Sequence, residues 1–390
     1  MCTLQRVINL LKNVNTSIRI YVLSLILTSG RKTCAEMSRT VGISPKVLYK
    51  FLSDAESNTE EIEKQLFDFA KSTRNKKIKR TLVVDPTAII KRYAQLMEKL
   101  CHDKAGCTKN IEKCLVPVCA SVVDQNIEIA LCIDFWIQEK IIGKKKYKSK
   151  VKISQEIILY LIAKGVEFDF VSLDGIYPFS EMFEFLRKNK LKFIMRIATN
   201  RCVVTHDGKR AQLKNVPSLK LMRNSREKTI KAKLYDKAYF FTAYKRRKRT
   251  GGWETVFLVS NMNLSAKKQV ASFNLRWPQE KINRTTKQKF GINQCQVVHA
   301  SKQKAHIMAG YLAHGIIEVA KNDKQSKQSH ASVDEIVNDL RTYHFDDLVS
   351  LIRKPTKTES KVKLDPVANP FQNHVQNFHN NVGESNVLHA

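Results

Sequence analysis

Between residues 81 and 198 the sequence contains five apolar runs of strand length, and their order restricts the fold more than any other feature. Helical patterns follow the third run, at 152–165, and the fourth, at 179–189. Three adjacent strands followed by alternating helices and strands predict a mixed sheet with helices packed on it. The five runs cover 81–85, 115–123, 127–137, 168–174 and 191–198.

This order resembles that of an RNase H-like core, so the predicted fold class is α/β, with a mixed sheet flanked by helices. Apolar residues at helical spacing predict an all-helical N-terminal region. A β-rich insertion is expected because a hairpin pattern with a basic tip interrupts the core. Few apolar residues and several prolines predict a disordered tail. The predicted regions are 1–75 (helical), 76–200 (first part of the core), 201–262 (insertion), 263–352 (helical completion of the core) and 353–390 (tail).

The charge of the chain indicates a polyanionic partner. Lys and Arg number 68 against 36 Asp and Glu, which gives a formal net charge of +32. Basic runs at 71–80, 144–148, 187–190 and 245–249 favour nucleic acid over a membrane surface. The apolar segment 18–27 is too short to cross a bilayer. We therefore expect no membrane partner and a cytoplasmic location.

The nine cysteines do not form a recognisable metal or disulfide motif. None belongs to a CxxC pair, and the spacings in the densest group are not those of a common zinc site. Reduced, unligated thiols are the expected state. The densest group consists of Cys101, His102, Cys107, Cys114 and Cys119.

A helix-turn-helix pattern lies within the N-terminal region. Residues 34–41 suit the first helix and 46–52 the second, with Ser44 as the N-cap after a turn. The predicted role of 1–75 is therefore DNA binding, and the alternative is a helical pair that packs only on its own domain. The second helix is expected to expose Lys46, Tyr49 and Lys50 to phosphates or base edges.

Three acidic residues carry the candidate chemistry. Asp85 ends one apolar run, and Asp174 ends another and precedes Gly175. Glu280 lies in a helical pattern over 265–289. At about 100° per residue, offsets of three, seven and fourteen place four side chains of this pattern on one face. These four are Phe273, Arg276, Glu280 and Lys287.

Carboxylates on separate elements suit a magnesium-dependent reaction at phosphate. Mg²⁺ prefers hard oxygen ligands, and two ions about 3.5–4 Å apart activate a nucleophile and stabilise the leaving oxygen of a phosphodiester. Asp85, Asp174 and Glu280 are therefore the predicted catalytic metal ligands for two Mg²⁺ ions, with Mn²⁺ as a substitute. Arg276 and Lys287 are predicted to contact phosphates.

On these residues the chain resembles the insertion-sequence DDE transposases, in the branch with the signature Y-x2-R-x3-E-x6-K. The resemblance covers about residues 20–320, and its motifs are the spacing over 273–287, Asp-Pro-Thr at 85–87 and Asp-Gly-Ile-Tyr at 174–177. It implies Mg²⁺-dependent cleavage and strand transfer at element ends, with terminal inverted repeats and target DNA as partners. Joining two ends favours a homodimer on DNA, at the nucleoid.

Several residues near the signature have separate expectations. Phe273 stands where the family has tyrosine, so it offers DNA a ring without a hydroxyl. Pro278 is expected to kink the helix unless the helix starts there. Trp277 and Trp253 are candidates for stacking on an unpaired base, although core packing is favoured for Trp253. Arg196 is a further candidate phosphate contact.

A DNA transposase is the favoured function. One alternative is a metal-dependent RNase H-like nuclease or resolvase, which cuts DNA without joining it. The other is a non-catalytic DNA-binding protein derived from a transposase. Joining of a 3′-hydroxyl end to a second duplex separates the first two. Survival of function after replacement of all three acids would indicate the third.

Overall fold

The computed structural model describes residues 3–106, 108–222, 224–248, 250–322 and 331–353. The described residues up to Ile352 belong to one compact unit. The tail that is predicted to be disordered lies, beyond residue 353, outside the described residues. Cys2 and Cys107 also lie outside the described residues. The seven described cysteines are free thiols.

The N-terminal region is helical, as its apolar spacing predicts. Ser44 and Pro45 begin α4 as expected, and Gly42 ends α3 in a left-handed conformation with φ of 68°, which glycine adopts without strain. The two helices are therefore joined by the turn that the sequence predicts. The region comprises α1 (Thr3–Lys12), α2 (Thr16–Leu27), α3 (Cys34–Val41), α4 (Pro45–Ser53) and α5 (Ala55–Ser72).

All five predicted core strands are present, with two short strands that the sequence did not indicate. The core contains β1 (Thr81–Pro86), β2 (Ile89–Ile90), β3 (Cys101–Lys104), β4 (Ile111–Val123), β5 (Glu128–Trp136), α6 (Glu139–Ile142), α7 (Lys150–Ala163), β6 (Phe170–Leu173), α8 (Ser180–Lys188) and β7 (Phe193–Ile197). β1 pairs antiparallel with β4 and parallel with β6, and β6 pairs parallel with β7. β5 pairs with the other edge of β4. This mixed sheet flanked by helices is consistent with an RNase H-like fold.

The predicted insertion continues the core sheet instead of folding beside it. β12 pairs antiparallel with β7, placing Ser260 opposite Ile194. Within the described ranges the sheet has 12 strands, and its outer part runs β7-β12-β11-β10-β8-β9. The added strands are β8 (Cys202–Val204), β9 (Arg210–Gln212), β10 (Glu227–Leu234), β11 (Lys237–Arg247) and β12 (Trp253–Ser260).

The prediction of a single helix over 265–289 is wrong, because the chain forms two helices there. The break falls at Leu275 and Arg276, and Pro278 lies in the first turn of the second helix. A proline in that turn lacks only a backbone donor that has no intrahelical partner anyway. The helices of this part are α9 (Ala266–Asn274), α10 (Trp277–Lys289), α11 (Ala300–Lys321), α12 (Val333–Tyr343) and α13 (Phe345–Arg353).

Helix α11 lies at the centre of the main hydrophobic core and packs against α1, α2, α5 and β5. Close packing depends on its small residues, since a Cβ at Gly310 would overlap Ile292 and one at Gly315 would lie 3.1 Å from Leu66. A smaller apolar cluster includes Phe170, Ile194 and Phe273. No described helix is long and apolar enough to cross a membrane.

Candidate active site

Asp85 and Asp174 lie side by side at the ends of two paired strands. Val84 of β1 is opposite Leu173 of β6 in the parallel register. Asp85 directly follows Val84, and Asp174 directly follows Leu173. Neighbouring strands are about 4.7–4.9 Å apart. The buried residues before each aspartate fix these strand ends in the sheet. The sequence prediction that the two acids meet across neighbouring strands is thus matched by the register.

Glu280 is connected to this strand edge through Arg276. Arg276 precedes α10, and Glu280 lies in the first turn of the helix. The guanidinium places Nη1 3.4 Å from Asp85 Oδ2 and Nη2 2.9 Å from Glu280 Oε1. One arginine therefore bridges an acid of the sheet and an acid of the helix.

The guanidinium of Arg276 packs against the aromatic ring of Phe273. The guanidinium carbon lies 5.6 Å from the centre of the Phe273 ring, and Phe273 is buried in the smaller apolar cluster. Burial acts to lower the pKa of Arg276, but Asp85, Asp174 and Glu280 outweigh it and raise that pKa. Phe273 thus packs under the bridging arginine. A direct contact between Phe273 and DNA stays a prediction.

The carboxylate oxygens of Asp85, Asp174 and Glu280 suit a hard cation, but the three side chains are not close enough together to surround one ion. Oδ1 of Asp174 is a buried oxygen without a hydrogen-bond partner, and carboxylate oxygens are the ligands that Mg²⁺ prefers. Among the described residues, however, the one set of three with ligand atoms all within 4.8 Å of one another lies elsewhere. The acids must therefore approach one another when they hold a common ion.

Burial, first of all, and then the neighbouring acids disfavour the ionised form of Asp85. Burial, opposed by Arg276 and supported by Asp174 and Glu280, raises the pKa of Asp85 to about 7. Like charges held close together disfavour ionisation of all members. Additional positive charge at this edge would stabilise the ionised acids.

The inner face of α10 is fixed to β4 by polar contacts that sequence analysis missed. Ser121 donates a hydrogen bond to Gln279, and Tyr311 donates from its hydroxyl to Asn283 Oδ1 at 3.0 Å. Sγ of Cys119, opposite Asp85 in the register, contacts the same hydroxyl at 3.0 Å. The polar spacing of residues 279 and 283 on one helix face was the available signal. These contacts position the helix that carries Glu280.

Lys287 also faces the strand edge. Its Nζ donates to Thr87 Oγ1 at 2.8 Å and to the Ala88 carbonyl at 2.9 Å. The lysine therefore ties the end of α10 to the segment that follows Asp85. Its predicted contact with phosphate stays a prediction.

The other predicted DNA contacts lie at or near the surface. Arg196 is half-buried and passes over Gly175, where a Cβ would lie 3.7 Å from its Cδ. Trp277 is 49% exposed and Trp253 is 63% exposed. The expectation that Trp253 packs in the core is therefore wrong, because the residue begins β12 beside the hairpin tip, beyond the buried part of that strand.

The second helix of the helix-turn-helix presents its predicted face to solvent. Lys46, Tyr49 and Lys50 are exposed on α4, whereas Leu48 is fully buried. This alternation leaves a basic and aromatic strip on the outside of the helix.

The family comparison covers both aspartates. A model described as DDE superfamily endonuclease matches residues 9–220, which is more than half of the chain. The chain belongs to the DDE superfamily endonuclease family. The region that matches the family model contains Asp85, Asp174 and the helix-turn-helix, but it ends before Arg276 and Glu280. No curated protein matches the chain.

Proposed function

We propose that this family member is a DNA transposase that cleaves at element ends and joins the freed 3′ ends to target DNA. The observation that carries the proposal is the side-by-side placement of Asp85 and Asp174 in the parallel register, with Glu280 connected to them through Arg276. Three acids from two strands and a helix are the arrangement expected of the DDE transposase signature.

In this proposal Asp85, Asp174 and Glu280 hold two Mg²⁺ ions, for which Mn²⁺ substitutes. Bound metal would activate the attacking water or 3′ hydroxyl and stabilise the leaving oxygen. Arg276 keeps the acids oriented and offers its guanidinium to a phosphate. Lys287 and Arg196 add positive charge along the same edge. The exposed rings of Trp277 and Trp253 would stack on unpaired bases.

DNA recognition is assigned to the N-terminal helices. Lys46, Tyr49 and Lys50 form the exposed strip of α4, and a second helix of this motif commonly enters the major groove. The net charge of +32 supplies general attraction to the phosphate backbone. Terminal inverted repeats would be the specific sites. Joining two of them favours a homodimer assembled on DNA at the nucleoid.

A nuclease or resolvase on the same core is the second candidate, because the chain belongs to a family of endonucleases. Purified protein, Mg²⁺, a labelled duplex from the DNA flanking the coding region and an unlabelled plasmid separate the two. A transposase produces labelled plasmid, whereas a nuclease produces only shortened duplex.

The control variants for this assay are matched in chemistry. Asp85→Asn, Asp174→Asn and Glu280→Gln should each abolish cleavage and joining. Asp68→Asn on α5 and Glu184→Gln on α8, both exposed, should leave both activities intact. Cleavage that survives in all three site variants would contradict the proposal.

A further inference from the structure

A second group of metal-ligand side chains lies apart from the acids at the end of β1. Glu128 begins β5, and His314 and Glu318 lie four residues apart on α11. Their side chains are 10%, 1% and 2% exposed. One ligand atom from each residue lies within 4.8 Å of the others. The group is therefore compact and almost closed to solvent.

His314 differs from the other buried histidine of the same helix. His306 contacts the Tyr21 hydroxyl through Nδ1 at 2.8 Å and the Gly291 carbonyl through Nε2 at 3.0 Å. Nδ1 of His314 is buried without a partner, and its Nε2 lies 3.8 Å from Glu128 Oε1, beyond hydrogen-bonding distance. Buried imidazoles normally satisfy both nitrogens. His306 is thus satisfied within the core, whereas His314 is not.

A metal ion at this group would compete with two lysines for the carboxylates. Burial, together with the nearby Glu318 and against Lys281 and Lys321, raises the pKa of Glu128 to about 7. Lys321 Nζ lies 2.7 Å from Glu318 Oε2, and Lys281 Nζ lies 3.5 Å from Glu128 Oε2. Lys281 is 50% exposed, so its amine can move into water at little cost. Burial also lowers the pKa of His314 to about 3, which keeps the imidazole neutral.

We propose that Glu128, His314 and Glu318 bind one divalent transition-metal ion, with Zn²⁺ as the best match. An imidazole nitrogen with two carboxylates suits zinc, whereas Mg²⁺ prefers oxygen ligands and retains several waters. Zinc–ligand distances of about 2.0–2.2 Å require the three atoms to move somewhat closer than they are now. The ion would join the start of β5 to α11 and displace Lys281, the residue after Glu280. This site is independent of the proposed transposase activity.

Zinc binding by the purified full-length chain tests the site without any activity measurement. After dialysis against a chelator, competition with a chromophoric chelator measures stoichiometry and affinity, and Co²⁺ absorption reports ligand geometry. Wild type should bind one Zn²⁺ that a large excess of Mg²⁺ does not displace, since Mg²⁺ prefers the all-oxygen site of the three acids. His314→Gln and Glu318→Gln should weaken binding at least about tenfold, since loss of even outer-shell partners costs that much. Asp85→Asn should bind zinc like wild type, which separates this site from the predicted Mg²⁺ site.

A gain-of-affinity variant keeps the test decisive if the buried variants fold poorly. Lys281→Gln removes a competing cation from the half-exposed side of the group and should tighten zinc binding several-fold. The proposal is overturned if wild type binds no zinc, if His314→Gln binds it equally well, or if Lys281→Gln leaves its affinity unchanged.

Discussion

Arg276 donates a hydrogen bond from Nη2 to Oε1 of Glu280 at 2.9 Å, and this contact connects the residue before α10 to the first turn of that helix. The same guanidinium reaches Asp85. Because its side chain is 10% exposed, water screens the contact with Asp85 weakly. Arg276 therefore fixes the position of Glu280 relative to Asp85 before any substrate binds.

Replacing Arg276 with Gln should affect metal binding and cleavage in opposite directions. Loss of the guanidinium removes a positive charge that competes for the acids, so Mn²⁺ affinity measured by calorimetry should rise several-fold. Cleavage should fall by about 10²-fold or more, because an oriented donor to the reacting phosphate is lost. Arg284→Gln, at an exposed position of α10, is the control. Unchanged metal affinity would show that Arg276 does not compete with the ion.

Stability of the metal-free protein should depend on pH through Asp85. Burial raises its pKa from 3.8 to about 7 in the folded state, so this group binds its proton more tightly folded than unfolded. Its stabilising contribution is complete below the unfolded pKa and is lost as pH rises through the folded one. The unfolding free energy of wild type should therefore fall relative to Asp85→Asn, by at most about 1.4 kcal/mol per pH unit. Urea denaturation of both proteins at pH 5 and pH 8 measures the difference, and equal pH dependence would refute it.

Pro278→Ala should leave both stability and cleavage nearly unchanged. The structure places Pro278 in the first turn of α10, so it marks the start of the helix and does not bend its interior. Arg284→Pro, in the middle of the same helix, should cost about 3 kcal/mol or more. Thermal unfolding and cleavage rates report both variants. A large loss of cleavage in Pro278→Ala would indicate that the proline itself aims Glu280.

Tyr311→Phe should loosen the attachment of α10 to the sheet. The hydroxyl that bonds to Asn283 and contacts Cys119 is lost, and Asn283 Oδ1 is left without that buried donor. The expected cost is about 1–3 kcal/mol of unfolding free energy, with a parallel loss of cleavage. Tyr343→Phe, at a 75% exposed position, should change neither. Denaturation curves with unchanged midpoints in Tyr311→Phe would contradict this role.

The salt dependence of DNA binding tests the role of α4. If Lys46 and Lys50 each neutralise a phosphate, alanine at either position should reduce the slope of log affinity against log salt by about 1. Lys12→Ala, on the exposed side of α1, should leave the slope unchanged. Equal slopes in all variants would place the DNA on another surface.

The core strands were predictable because their apolar runs are long and buried. Strand β10 was missed because its sequence, Glu-Lys-Thr-Ile-Lys-Ala-Lys-Leu, is largely polar and half-exposed. The hairpin of β11 and β12 was recognised, but its pairing with β7 depends on a non-local register that no local pattern records. Tertiary pairing therefore decided where the predicted insertion lies.

The residues of the candidate site could be proposed from the sequence, but the contacts between them could not. Apolar runs that end in Asp85 and Asp174 identified the strand edge, and the spacing from Arg276 to Glu280 identified the helix. The bridge from Arg276 to Asp85 spans 191 residues and arises only when α10 packs on β4. The break between α9 and α10 had a local signal in Pro278, but only the folded chain shows that the proline begins a helix.

Metal specificity of cysteine variants tests most directly whether the aspartates bind catalytic metal. A thiolate is a soft ligand that binds Mn²⁺ better than Mg²⁺. Asp85→Cys and Asp174→Cys should be nearly inactive in DNA cleavage with Mg²⁺, and Mn²⁺ should restore activity far more than it changes wild type. If both variants bind DNA normally but show the same Mn²⁺ to Mg²⁺ ratio as wild type, these carboxylates do not hold the catalytic ions.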